Sequence, residues 1–309
     1  MATSYTISAL DSRLKNYLDV NKDELISKAI FTSNTAKMLN IMTGVKGSKA
    51  LVRLDSSIVL QDGSNCTFNA QGSDEFSNRI ITTVPVAVHK EFCTKDLLGS
   101  WKNFDVKMGA TRQGEDMPFE QQIIDKNMEV LANTLETKIW QGNTNSGDLF
   151  NGFYTMFDAD VTAGVIPAAN NIAKGSDSIW TRVQKTWLAM DPAMAKNAVI
   201  LMSVSKFKEL IIELANLNSF HIFEEIQEGQ YEISMPGAAG TKIMGISGLE
   251  GLDVILGVDF DELYLGCDLE SDSEDVEFFF SKDDRVFKFL VEFVMGVQYS
   301  IPEHIYLNR

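Results

Sequence analysis

Cysteine and histidine are scarce in this chain. Its 309 residues include three cysteines and three histidines, none of them in a CxxC or HExxH pattern. A zinc site or a histidine-based catalytic centre needs several such side chains at short spacing. A GxSxG nucleophile elbow and an ordered phosphate-binding glycine loop are missing as well. These absences predict a protein that is not an enzyme and that has no catalytic residues and no cofactor.

Long apolar runs and an excess of basic residues are also lacking. No stretch approaches the roughly 18 apolar residues of a membrane-spanning helix. The first residues show no basic segment followed by an apolar block, which is the pattern of a secretory signal. The net charge is −16, whereas dedicated nucleic-acid binders carry basic surfaces. We therefore expect synthesis in the cytoplasm, no membrane partner and no sequence-specific binding of nucleic acid.

The charge is unevenly distributed along the chain. Residues 1–53 hold eight basic and four acidic residues, so this head carries +4 and the remainder −20. The head contains a short amphipathic helical pattern with Arg13 and Lys15 on its polar side. Such a basic arm could contact the acidic surface of a neighbouring copy, or it could simply be solvated. Charge alone leaves both possibilities open, and we take Arg13 and Lys15 as candidate inter-subunit contacts.

The longest single pattern is an amphipathic helix that ends before Gly142. Its apolar residues recur at three- and four-residue steps: Phe119, Ile123, Ile124, Met128, Leu131, Leu135 and Ile139. Asp116 can cap its start, Pro118 fits the first turn, and Gly142 is predicted to end it in a left-handed conformation. About 25 residues form a rod of roughly 37 Å, against an average helix of about 11–12 residues. Such a rod suits an architectural spine.

Ahead of this helix, two strand-like runs flank a polar segment. Residues 50–60 and 80–92 predict strands, and residues 61–79 predict a turn and loop. Together they would form a hairpin of roughly 30 Å or more, which is marginal in water without cover. We expect another subunit to cover it; packing on its own domain is the alternative. The predicted inter-subunit contacts here are Ile58, Leu60, Phe68, Phe76, Val84 and Val86.

The remaining chain predicts an α+β fold. A helix at 176–190 is followed by a short apolar strand at 198–202 and a helix at 206–215, and short strands follow one another from Lys242 onward. The glycines at 245, 248 and 251 precede a strand rather than a helix, which indicates a turn. Asp268, Glu270 and Asp272 lie in an acidic run. They are weak candidates for a divalent metal site, and a solvated turn is the alternative.

The order of these elements resembles that of one protein family. The residues that carry the likeness are 119–143, with LETKIWQG at 135–142, then AVILMS at 198–203 with its following helix, and the strands at 243–246 and 263–268. The chain resembles the major capsid proteins of tailed bacteriophages, whose Hong Kong phage-type shell fold is shared with encapsulins.

The resemblance implies a division of the chain. Residues 1–49 would form an N-terminal arm and residues 50–92 an extended hairpin loop laid over an adjacent subunit. Residues 93–144 and 253–309 would form the peripheral domain with the spine helix, and residues 145–252 a mixed α/β axial domain.

The resemblance also implies a function. The chain would assemble with itself into hexamers and pentamers of an icosahedral shell, the virion capsid, which encloses double-stranded DNA. Scaffolding, portal and decoration proteins would be its further partners. An encapsulin-like shell that packages cargo enzymes is the alternative. Some relatives form an isopeptide bond from a lysine of the extended loop, but residues 61–79 contain no lysine, so no such crosslink is expected.

Overall fold

The computed structural model describes residues 7–8, 10–18, 35–61, 70–100, 119–192, 194, 197–217, 231–235, 240–268 and 275–309. The helices in these ranges are α1 at 10–18, α2 at 94–100, α3 Phe119–Gln141, α4 Phe153–Ala163, α5 Ile179–Ala189 and α6 Val204–Asn216. None of these helices is both long and apolar enough to cross a lipid bilayer.

Within the described ranges, the strands form three sheets. They are β1 Asn40–Met42, β2 Ser48–Ile58, β3 Gly72–Thr82, β4 Val84–Cys93, β5 Asn171–Ile172, β6 Val199–Ser203, β7 Glu232–Ser234, β8 Lys242–Ile246, β9 Ile255–Val258, β10 Leu263–Cys267, β11 Asp275–Ser281, β12 Val286–Tyr299 and β13 Tyr306–Asn308. One sheet has the order β1-β10-β12-β11, with β4 also paired to β12, and a second has the order β5-β13-β9-β6-β8-β7. Among the described strands, β2 and β3 pair with each other alone, as a separate hairpin.

The predicted spine helix is present as α3. It spans 23 residues, about 34 Å at 1.5 Å per residue. Its predicted apolar face is buried in the main core, as shown by Ile124, Met128, Leu131, Leu135 and Ile139, all at most 9% exposed. The predicted cap Asp116 and the first-turn Pro118 lie outside the described residues.

Gly142 follows the helix for a different reason from the predicted one. Its φ is not in the left-handed region, so the predicted left-handed helix end was wrong. A Cβ atom at this position would lie 2.6 Å from the carbonyl oxygens of both Lys138 and Phe150. Glycine is needed because the chain folds back against the last helical turn, where the Gly152 amide donates to the Gly142 carbonyl at 2.8 Å.

The hairpin lies elsewhere than the sequence predicted. β2 pairs with β3 from Ser48 opposite Thr82 to Ile58 opposite Gly72, so residues 72–79, predicted as loop, form a strand. The single predicted strand at 80–92 was also wrong, because the chain changes direction at Thr83, whose amide donates to the Gly47 carbonyl at 2.8 Å. Beyond it, β4 leaves the hairpin and pairs with β12. Residues such as Asp and Asn have low strand propensity, so only the pairing with β2 identifies residues 72–79.

Three elements bear on the division implied by the resemblance, which stays a prediction. β9 and β13, within the range 253–309, belong to the six-stranded sheet, where β9 pairs with β6 and β13 pairs with β5. Within the predicted arm, α1 packs on its own chain, because Leu10, Leu14 and Leu18 are at most 4% exposed in the main core.

Candidate subunit interface

The hairpin of β2 and β3 has two chemically different faces. Each strand has 11 residues, or about 36 Å at 3.3 Å per residue. Residues directly opposite each other in an antiparallel pair lie on the same face. One face therefore carries the pairs Ala50–Ile80, Val52–Asn78, Leu54–Phe76, Ser56–Asp74 and Ile58–Gly72, and its large side chains are apolar. The other carries Arg53 and Arg79.

The apolar face points away from the rest of the chain. Val52 is 70% exposed, Leu54 54%, Ile58 84%, Phe76 73% and Ile80 56%. We call these five residues the outer hairpin face. Beyond β2, Leu60 is 94% exposed. Soluble monomers rarely expose this many large apolar side chains on one face unless that face binds a partner, so the outer hairpin face is the strongest candidate interface in the described part of the chain.

The polar face is held against the body of the same chain. Arg53 forms an ion pair with Glu303 at 2.5 Å, and Arg79 forms one with Asp160 at 2.6 Å. At the root of the hairpin, the end where β2 begins and β3 ends, Leu51 and Ile81 are buried with Val45 in a small core of their own. An isolated amphipathic hairpin in water would cover its apolar face first. The reverse orientation seen here leaves that face available to another molecule.

The electrostatics of the Arg53 contact favour the ion pair. Burial of the Glu303 carboxyl opposes its ionisation, but hydrogen bonds from Arg53 and from a backbone N–H outweigh burial, and the pKa of Glu303 lies below its ordinary value. Glu303 is therefore ionised at neutral pH. Because its side chain is 52% exposed, the pair contributes more to the orientation of the hairpin than to stability.

A shallow groove continues the outer hairpin face at its root. Its volume is about 240 Å³. Ile80 belongs to both surfaces, and Leu149, Phe150 and Met156 line the opposite wall. Leu149 is 55% exposed. The exposed apolar surface thus extends from the hairpin onto the loop that follows the spine helix.

The predicted contact residues on the hairpin and β4 lie in different environments. Ile58, Leu60 and Phe76 are exposed as expected. Val84 is partly buried, and Val86 is 8% exposed within the core of its own chain. Phe68 lies outside the described residues.

On α1, Arg13 and Lys15 are exposed while the opposite side of the helix packs into the core. Lys15 forms an ion pair with Asp11 at 3.0 Å. Their contact with a neighbouring copy stays a prediction.

Sequence reasoning missed Val52 and Leu54 as surface residues. Their alternation with Arg53 in ALVRLDSSI predicts a strand with one apolar face. That alternation does not say which face meets the body, since the answer depends on ion pairs with residues more than 80 positions away.

The acidic run offers no described metal site. Asp268 is 4% exposed and its Oδ1 has no hydrogen-bond partner among the described residues. Glu270 and Asp272 lie outside those residues. In the part of the chain that the structure describes, no group of three His, Cys, Asp or Glu side chains is placed to hold a metal ion.

Comparison by sequence finds no matching family model and no matching curated protein. Comparison by structure finds capsids. The chain is similar to a protein of the satellite phage P4 procapsid with its size determination protein, with 11% identity over 98% of each chain and a TM-score of 0.63. It is also similar to a chain in the capsid of an empty GTA particle, with 11% identity over 91% of this chain and 89% of that chain and a TM-score of 0.54. For a chain of Microbacterium phage Oxtober96 the identity is 10%, over 89% and 90% of the two chains, with a TM-score of 0.51.

At these identities the likeness concerns the fold, and it covers nearly the whole chain. The α+β prediction and the resemblance in element order are both confirmed at this level. The chain has the Hong Kong phage-type capsid fold.

Proposed function

We propose that this chain is the major capsid protein of a tailed bacteriophage, a structural protein that assembles with itself into the shell around double-stranded DNA. The observation that carries the proposal is the outer hairpin face, an exposed apolar surface on a chain with a capsid fold. Burying it against a second copy would remove that apolar area from water, which is the main driving force of association.

In the proposed head-to-tail contact, the outer hairpin face of one copy meets a different surface of the next copy. The resemblance implies that the hairpin is laid over an adjacent subunit, so its apolar face would meet a surface other than itself. A surface that meets a different surface on the next copy generates rings when the rotation closes. Hexamers and pentamers of a closed shell are the expected products, with the virion capsid as their location after synthesis in the host cytoplasm.

The charge of the chain fits a container. With a net charge of −16, the subunit would repel a nucleic-acid backbone over most of its surface. DNA would be enclosed without sequence-specific binding. Scaffolding, portal and decoration proteins are proposed as further partners from the fold.

Expression of the full chain followed by negative-stain electron microscopy tests the proposal. We expect closed shells or tubes hundreds of ångströms across, alone or with a scaffolding protein. Uniform small particles under every condition, with no rings, would contradict the proposed function. Double-stranded DNA inside particles from infected cells supports the phage capsid, whereas a cargo enzyme would support the encapsulin-like alternative.

A double variant tests whether the outer hairpin face carries assembly. Leu54→Ser with Phe76→Ser should reduce the yield of shells at least tenfold while the melting temperature of the subunit stays the same, because both side chains are exposed. Val130→Ser on α3 is the matched control, since Val130 is 53% exposed and outside the hairpin. Shell yields equal to the parent in the double variant would remove the outer hairpin face from the proposal.

A further inference from the structure

The root of the hairpin crosses the first sheet at two glycines. Gly266 of β10 and Gly296 of β12 are directly opposite each other in the sheet. A Cβ atom at Gly296 would lie 2.1 Å from the Thr82 carbonyl oxygen, and one at Gly266 would lie 2.9 Å from Cδ1 of Ile81. Any other residue at Gly296 would push the hairpin backbone off the sheet, because a backbone atom cannot move aside as a flexible side chain can.

Gln298, two residues further along β12, hydrogen-bonds the hairpin. Its Nε2 donates to the Ile80 carbonyl at 3.0 Å, and its Oε1 accepts from Nε of Arg79 at 3.3 Å. The same Oε1 accepts from the Tyr299 amide at 3.0 Å. The amide side chain is therefore held in one orientation by groups from β3 of the hairpin and from β12.

Arg79 completes the contact. Its Nη2 donates to Oδ2 of Asp160 on α4 at 2.6 Å, and its guanidinium lies 4.0 Å from the centre of the Tyr299 ring. The Tyr299 hydroxyl donates to the same Asp160 oxygen, and the Tyr299 side chain is fully buried. A planar guanidinium with a directed hydrogen bond and a ring beneath it has little rotational freedom.

We infer that these five residues, Gly266, Gly296, Gln298, Tyr299 and Asp160, form a hairpin seat that fixes the direction in which the hairpin leaves the body. The inference rests on the proposed function, because that direction matters only if the outer hairpin face meets a second copy. On a hairpin of about 36 Å, each 10° of rotation at the root moves the tip by about 6 Å. Arg79 is thus a positioning residue for assembly.

A distance measurement on the unassembled full chain tests the seat directly. Spin labels are placed at Ser56 on the hairpin and Thr134 on α3, both exposed, after replacement of the three cysteines. The parent should give one narrow distance distribution. Arg79→Gln and Gly296→Ala should each shift or broaden it by more than 5 Å, and the milder Arg79→Lys should give an intermediate width, because it keeps the charge but loses the planar contact.

Gly99→Ala is the control for Gly296→Ala, because a Cβ atom at Gly99 would meet no atom within 4 Å. It should leave the distance unchanged. Unchanged distances in both Arg79→Gln and Gly296→Ala would overturn the inference.

Electron microscopy of the same variants supplies the second readout. Fewer or irregular shells from variants with shifted distances support the positioning role, and normal shells from them overturn it. If the parent itself never assembles, the proposed function fails, while the distance measurement still decides whether the seat holds the hairpin.

Discussion

At the scale of single residues, Gly248 shows how one missing side chain permits the packing of the spine helix. A Cβ atom there would lie 2.3 Å from Cδ1 of Trp140 and 2.7 Å from the Glu136 carbonyl oxygen. Gln141 of the same helix donates through Nε2 to the Gly248 carbonyl at 2.7 Å. The glycine spacing at 245–251 indicated the turn, but the close approach of α3 is visible only in the folded chain.

Gly248→Ala should lower the free energy of unfolding by about 1–3 kcal/mol, because the added methyl group forces Trp140 or the helix backbone to move. Urea denaturation checks this. The control Gly99→Ala has open space around its Cβ position and replaces a helical glycine, so it should be neutral or slightly stabilising. Equal stability of Gly248→Ala and the parent would contradict the packing argument.

The stability of the folded chain should depend on pH through His304. Its Nδ1 lies 2.5 Å from Oε1 of Glu262, and this hydrogen bond raises the pKa of His304 above its ordinary value of 6.5 despite burial. A raised folded pKa means that the contribution to stability is fully present below pH 6.5 and is lost as the pH rises through the folded pKa.

His304→Gln should therefore lose stability relative to the parent at pH 5.5 to 6 and show a much smaller difference near pH 9. Unfolding by urea across this range gives the difference profile. A difference that is the same at both ends would show that the charge of His304 contributes nothing.

At the scale of elements, the spine helix was predictable and the hairpin was only partly so. α3 has a sustained period of three and four residues over 23 residues, which local pattern alone can reveal. The hairpin strand 72–82 contains GSDEFSNR, whose composition is typical of a turn. Its strand conformation comes from eleven residue pairs with β2, and pairing partners are not encoded in local composition.

The buried face of α3 can be tested by truncation. Leu135 is 4% exposed in the main core, so Leu135→Ala should cost about 2–5 kcal/mol of unfolding free energy through lost burial and the cavity left behind. Val130→Ala on the exposed side of the same helix should stay within about 0.5 kcal/mol. Thermal unfolding of the two variants side by side decides this, and a similar cost for both would mean that the helix does not bury the predicted face.

At the scale of the whole molecule, the net charge of −16 affects how strongly copies of the chain associate. Identical acidic subunits repel each other, and salt screens that repulsion within a Debye length of about 10 Å at 0.1 M. The basic head of +4 acts in the opposite direction if it contacts the acidic remainder of another copy.

We expect the repulsion to dominate, so raising the sodium chloride concentration from 50 to 500 mM should lower the subunit concentration at which shells form. Light scattering over a concentration series at each salt level measures it. Weaker assembly at high salt would show instead that attraction between the basic head and an acidic body controls association.

The sequence by itself determined the fold class, the spine helix, the presence of a short helix in the head and the order of the late strands, because these depend on periodicity within a few turns or a few alternating residues. Only the tertiary structure decided that β4 belongs to the first sheet, that β9 and β13 belong to the six-stranded sheet, and that Gly142, Gly248 and Gly296 are sites of close approach. The direction in which the hairpin leaves the body was likewise decided only by the tertiary structure. It depends on Arg53 and Arg79 meeting Glu303 and Asp160, and such contacts between distant parts of the chain have no local signature.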